Sequence, residues 1–290
     1  DSVLASILPG ILESELAPLL EDALDDLMIE TQIDLMGVAI DLEALPQDIE
    51  IDDDGMLVAL ESVVSAPQGP SAPPTLGALY DVNSLWPVYP ATEDLHLSME
   101  DGFVNQLLHS AWQGGVMNMT MDASSLGLDL SQVAEILPLT YLELAMVPLL
   151  PPVVGPAPAG GMSLAIGDLL INVNGDPGGV SGLMMQLAVT VVADADFTLD
   201  AEGNIQFGFA NPTVHMDFVT SSPWVVDGEL VENVMDAVVD LLIPTLMDTL
   251  GGLGGFAMPE LGGFGLSAST FEREPAPAAY ITMSGELSLD

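Results

Sequence analysis

Between Gly228 and Leu250 the chain reads GELVENVMDAVVDLLIPTLMDTL, in which Val231, Val234, Val238, Leu242, Leu246 and Leu250 recur at steps of three or four. That period places them on one face of a helix. Met235, Val239, Ile243 and Met247 widen the stripe beyond what one sheet contact needs. Asp227 is placed to cap the start of this helix, and Gly251, Gly252, Gly254 and Gly255 stop it.

Elsewhere the period is mostly two. Gln32-Ile33-Asp34-Leu35 and Val38-Ala39-Ile40-Asp41-Leu42 alternate as a half-buried strand does. Asp48 to Ile51 and Met56 to Leu60 flank Asp52-Asp53-Asp54-Gly55, a hairpin whose Asp-Gly step supplies the positive-φ turn. Leu139 to Phe209 reads as long meander strands broken at 174–179 and 200–204, and Leu266 to Asp290 returns to alternation.

Two further helices are expected. Residues 7–28 carry Leu12, Leu16, Leu20, Leu24 and Leu27 on one face, with Pro18 as a kink. A shorter helix covers Phe103 to Trp112, with Asp101 as its N-cap and Gly114-Gly115 as its end. Residues 66–75, APQGPSAPPT, are too rich in proline and small polar residues for regular structure and read as a linker.

Composition closes several functional classes. Against 44 acidic residues stands one cation, Arg273, for a formal net charge of −43. Nucleic-acid binding rests on Lys and Arg displacing counterions, and attraction to anionic membranes rests on basic clusters. Neither mode is open to this chain through charge. Self-repulsion at this charge is relieved by salt or divalent cations. Without cysteine there is no disulfide, zinc–thiolate or thiol chemistry.

Catalytic and metal motifs are missing as well. His96, His109 and His215 lie far apart, and no Gly-x-Ser-x-Gly elbow or H-E-x-x-H run occurs. Glycines 251–255 follow a helix, whereas a phosphate loop precedes one. Asp52, Asp53 and Asp54 lack the alternating ligand positions of a calcium loop, and the hairpin turn accounts for them. The sequence therefore reads as a protein that is not an enzyme, with no cofactor and no metal site.

The segment DGFVNQLLHSAWQGGV, with Asn105 and Gly114 or Gly115, resembles the pattern D-x-F-x-N-x-h-x-x-x-x-x-x-x-G (h apolar) of the bactericidal/permeability-increasing and lipopolysaccharide-binding protein family, the tubular lipid-binding (TULIP) group. The long striped helix with its Ile243-Pro244 step, FAMPELGGFGLSAS after it, and the strand Tyr280 to Leu289 resemble the remainder of that family's C-terminal barrel.

The resemblance implies an α+β fold in which a strongly curved antiparallel sheet rolls around a long amphipathic helix, with an extra N-terminal helix and crossing strands. It divides the chain into 1–65, the end of a preceding barrel-type helix plus crossing strands; 66–90, a Pro-rich connection; and 91–290, a tubular lipid-binding barrel. It implies an elongated apolar cavity for an acyl-chain lipid or sterol, lined by Phe103, Leu107, Trp112, Val231, Met235, Val238, Leu242 and Leu246. Methionine, flexible and tolerant of ligand shape, suits such a wall.

The lack of cations departs from the basic members of the family. On this resemblance most of a first barrel is not matched, which implies upstream sequence outside the 290 residues, a homo-oligomer or a missing N-terminal barrel partner. The location expected is secreted, periplasmic or cell-surface. The alternative is a structural or protein-interaction module of the same fold with an acidic, cation-responsive surface.

Overall fold

A computed structural model describes residues 28–51, 56–69, 73–79, 87, 89, 95–125, 139–158, 161–200, 204–221, 228–254, 256–257, 264–273 and 279–289. The expected helix over 7–28, the aspartates of the 52–55 turn and the cap at Asp227 lie outside them.

The described chain is mostly antiparallel sheet with few helices. Three strands, β1 (Ile29–Leu35), β2 (Val38–Ile51) and β3 (Met56–Ser65), form one sheet in the order β1-β2-β3. β1 and β2 turn over at Met36 and Gly37, with φ of 52° and 80°. Two successive positive-φ residues make the two-residue hairpin turn whose twist matches the strands. What the sequence presents as one alternating run is therefore two strands.

β4 (Leu95–Glu100) leads into helix α1 (Asp101–Gly114). Gly115 ends that helix in the left-handed region at φ 91°, and its N–H returns to the Ala111 and Trp112 carbonyls, as expected of a C-terminal glycine. Asp101 does not cap the helix. It is the first helical residue, and the cap position belongs to Glu100, which makes no side-chain cap bond.

A curled seven-stranded sheet follows, ordered β11-β10-β9-β8-β6-β5 with β7 paired to β8. Its strands are β5 (Thr120–Asp122), β6 (Leu142–Pro148), β7 (Val153–Pro156), β8 (Met162–Gly175), β9 (Gly182–Leu199), β10 (Asn204–Ser221) and β11 (Phe256–Ala257). Alternation in β9, and in β8 on either side of an irregularity at Asp168 that shifts its phase, buries Leu164, Ile166, Ile171 and Val173 with Leu187, Val189 and Val191 on one face. β12 (Phe264–Arg273) and β13 (Tyr280–Leu289) join β4 in a third sheet, ordered β12-β13-β4.

One uninterrupted long helix was expected over 228–250; the chain instead forms three consecutive segments. They are α2 (Gly228–Ala237), a π turn (Val238–Leu242) and α3 (Ile243–Gly251). The break sits beside Pro244, which has no N–H to give Asp240 and whose ring crowds that carbonyl. α3 packs on β10. Its glycines permit the approach: a Cβ on Gly254 would lie 2.7 Å from the Phe207 nitrogen.

Candidate functional site: the inner face of the seven-stranded sheet

Helix α1 is the joint between the three sheets. The Asn105 amide acts as an extra strand edge for β7: Val154 N–H donates to Asn105 Oδ1 at 2.7 Å, and Asn105 Nδ2 donates to the Val154 carbonyl at 3.2 Å. Trp112 Nε1 donates to the Pro148 carbonyl at 3.1 Å, at the end of β6. Toward the first sheet, Ser110 Oγ donates to the Val64 carbonyl at 3.2 Å, and a Cβ on Gly114 would meet Val38 Cγ1 at 2.4 Å. The two motif residues thus have physical work, one as a strand mimic and one as a place of close approach.

Toward the third sheet, Asp101 is ion-paired with Arg273, and both side chains are buried. Asp101 N–H also donates to the Ala279 carbonyl at 2.8 Å. The one cation of the sequence is therefore used inside the protein. The Pro-rich connection crosses the end of α1: Gly69 N–H donates to the Gln113 carbonyl at 2.8 Å, and Thr75 Oγ1 lies 3.2 Å from His109 Nε2. Burial lowers the pKa of His109 and favours its neutral form.

The residues expected to line a cavity divide by burial. Leu107, Trp112, Val238, Leu242 and Leu246 belong to one contiguous buried cluster, with Phe103 and Val231 half-buried against it. Met235, one turn from Val231 and Val238, is half-buried. The structure brings α1 and the helical run into one core, and several of these side chains meet other protein atoms there.

The strands expected from the alternation end at Phe209, yet β10 runs on to Ser221. Asn211 at φ 51° and the register shift between Ala210 and Thr213 hide the continuation, because they reset the phase of the alternation. Beyond the bulge Val214, Met216 and Phe218 pair with Val191, Val189 and Leu187 and so share their face. Those three partners are fully buried, whereas Val214 and Met216 are half-buried and Phe218 is 55% exposed. The run Val214-His215-Met216-Asp217-Phe218 was the signal available in the sequence.

Length bears on this incomplete cover. β9 and β10 are 18 residues each, roughly 60 Å of strand at ~3.3 Å per residue. The helical segments are 10, 5 and 9 residues, roughly 36 Å at ~1.5 Å per residue. A helix of that length does not by itself cover such strands end to end; the inner row of β9 is nonetheless buried from Met185 to Phe197, and the incomplete cover is confined to β10.

Two aspartates are held by hydrogen bonds. Asp176 accepts from the Thr140 hydroxyl, from Thr140 N–H at 2.7 Å and from Tyr141 N–H at 3.0 Å, and these bonds, the hydroxyl first, lower its pKa. Asp122 is held at a pKa of about 2 by the Ser125 N–H first and then the Ser124 hydroxyl. Among the described residues no group of three His, Asp or Glu is disposed to hold a metal ion. No described helix is long and apolar enough to cross a membrane.

No family model matches the chain, and no curated protein matches it. Among solved structures the chain is similar to a crystal structure of lipopolysaccharide binding protein, with 15% sequence identity and a TM-score of 0.45 over 98% of this chain. It spans 61% of that protein's chain.

Proposed function

We propose that the protein binds a hydrophobic ligand, an acyl-chain lipid or a sterol, without catalysis, along the inner face of the seven-stranded sheet. The single observation that supports this is the incompletely covered apolar face of β10, where Val214 and Met216 are only half-buried against the core and Phe218 is exposed beside the fully buried row of Leu187, Val189 and Val191. On this reading Val231, Met235, Val238, Leu242 and Leu246 form the helical wall and Phe103, Leu107 and Trp112 the wall contributed by α1. An acyl chain laid there gains ~0.8 kcal/mol per buried methylene and needs no cationic anchor, which this chain does not have to spare.

A second reading, a structural or interaction module, draws on the closed part of the core: Leu107, Val238, Leu242 and Leu246 are fully buried among protein side chains. Native mass spectrometry of gently purified protein separates the two. A lipid-sized mass adduct that Met216→Asp and Phe218→Asp both deplete supports the carrier. A mass equal to the bare polypeptide, with nothing in a solvent extract, leaves only the module.

A further inference from the structure

Open strand edges are templates for pairing, and natural sheets blunt them with proline, bulges or charge on the edge strand. Among the described edge strands, β12 carries such devices, a register shift between Ser267 and Thr270 with Glu272 beyond it, and so do β10 and β1. β10 has Pro212, the bulge beside it and Asp217, and β1 sets Glu30 and Asp34 among its apolar residues. β3 differs. Over Met56-Leu57-Val58-Ala59-Leu60 it has neither proline nor charge, and both register irregularity and proline in this hairpin sit on β2, at Pro46 to Asp48.

Only one side of β3 is paired with a strand among the described residues. On its other side, the Val64 carbonyl accepts from Ser110 of α1 at 3.2 Å. That bond fixes which backbone groups face outward. In a strand the N–H and C=O of one residue point to the same side, and alternate residues point to opposite sides. Leu60 and Val58 therefore present their N–H and C=O to the open edge, while Leu57, Ala59 and Glu61 bond to β2. Leu57, Val58, Ala59 and Leu60 are half-buried and Met56 is 54% exposed, so the edge strand is apolar here, while Asp48 and Glu50 of β2, opposite Ala59 and Leu57, give that one face its charge.

We propose that this edge is a docking site for an extended, cation-bearing segment of another protein, which adds to the sheet as a fourth strand. The charge of the surroundings selects the partner. Asp48, Glu50 and Glu61 lie on or beside the strand pair, and Asp52, Asp53 and Asp54 follow in the turn sequence. A second copy of the chain, at −43 with its one Arg buried, brings repulsion. A strand that alternates Lys or Arg with Val or Leu brings backbone partners for Val58 and Leu60, apolar cover for one face and counter-charge for the other.

The probe is a fluorescein-labelled octapeptide alternating lysine with valine, read by anisotropy against the intact protein. Binding is expected to saturate and to weaken as salt rises. The same peptide N-methylated at alternate residues, which keeps charge and side chains but cannot pair, is expected to bind at least about tenfold more weakly, the loss of two or so net hydrogen bonds. Val58→Pro removes an outward N–H without touching the ladder to β2 and is expected to match that loss, with its thermal midpoint close to the parent's. Glu61→Gln is expected to lower affinity severalfold at low salt only. No saturable binding overturns the proposal. Equal binding of the N-methylated peptide overturns it too, since charge alone then holds the ligand.

Discussion

Along β9 the alternation in the sequence is realised from end to end: Met185, Leu187, Val189, Val191, Ala193, Ala195 and Phe197 are all buried. Along β2 it is realised only halfway. Ile40, Leu42 and Ala44 are buried, and Ile49, beyond the bulge, is exposed, as is Met56 opposite the end of the strand. The two strands are patterned alike. What separates them is cover: helices and a neighbouring sheet lie over β9, whereas α1 reaches only the Val38 and Val64 end of the small sheet. Period two specifies which face is apolar, and something outside the strand decides whether that face is dry.

The hardest test of this contrast is to remove cover from the joint. Trp112→Ala deletes the largest fully buried side chain among the described residues and orphans the Pro148 carbonyl, so we expect a loss of about 4 kcal/mol in denaturant unfolding. Met56→Ala, the same kind of truncation on the bare end of the small sheet, is expected to cost under about 0.5 kcal/mol. Equal losses would erase the distinction between the two regions.

Next in size is the buried ion pair. Arg273→Met leaves the Asp101 carboxylate buried beside an apolar chain and is expected to cost about 3 kcal/mol. Asp101→Leu combined with Arg273→Met is expected to recover most of that loss, because neither charge is then stranded. A double variant as unstable as the single one shows that the pair does more than balance its own burial.

How far the sequence discloses this arrangement depends on the range of the forces involved. Local signals were legible: the Gly115 cap, the hairpin of β2 and β3, the lack of regular structure expected over 66–75 and present at 66–69 and 73–75, and the stripe from Val231 to Leu250. Asp101 was misread as a cap because its partner, Arg273, comes 172 residues later. The far half of β10 was missed because Asn211 and Pro212 look like a chain break, while the bulge they form is held by pairing with β9. The π turn follows from Pro244, yet its presence depends on the packing that keeps the chain helical around it. Of the candidate ligand wall, sequence period identified the stripe, and only the geometry separates the sealed residues from Phe103, Val231 and Met235, which are not.

Acid probes the same contrast more gently. The folded pKa of Asp176 is depressed, so the stability it contributes is present above the ordinary carboxylate value near 4 and fades as pH falls through the folded value. Asp176→Asn lacks that contribution at every pH. The gap in Tm between the parent and this variant is therefore expected to be widest at neutral pH and to narrow below about pH 4. A gap that holds constant into acid would mean that Asp176 acts through its shape rather than its charge.

The smallest effect belongs to the small sheet itself. Glu30 and Glu43 stand directly opposite each other in the β1–β2 ladder, and Asp41, the next outward residue of β2, is bonded by Gln32 Nε2 at 2.7 Å. Like charges facing across a ladder are destabilising, and exposed ones are screened by salt. Glu43→Gln is accordingly expected to raise stability by a few tenths of a kcal/mol in dilute buffer and to make no measurable difference at ~1 M salt, where the screening length is near 3 Å. The groove of about 380 Å³ over these residues, lined by Glu30, Asp41, Glu43 and Val63 among others, keeps them in water. An effect that survived high salt would mean that the carboxylates are less hydrated than their exposure indicates, and the small sheet would then have cover of its own.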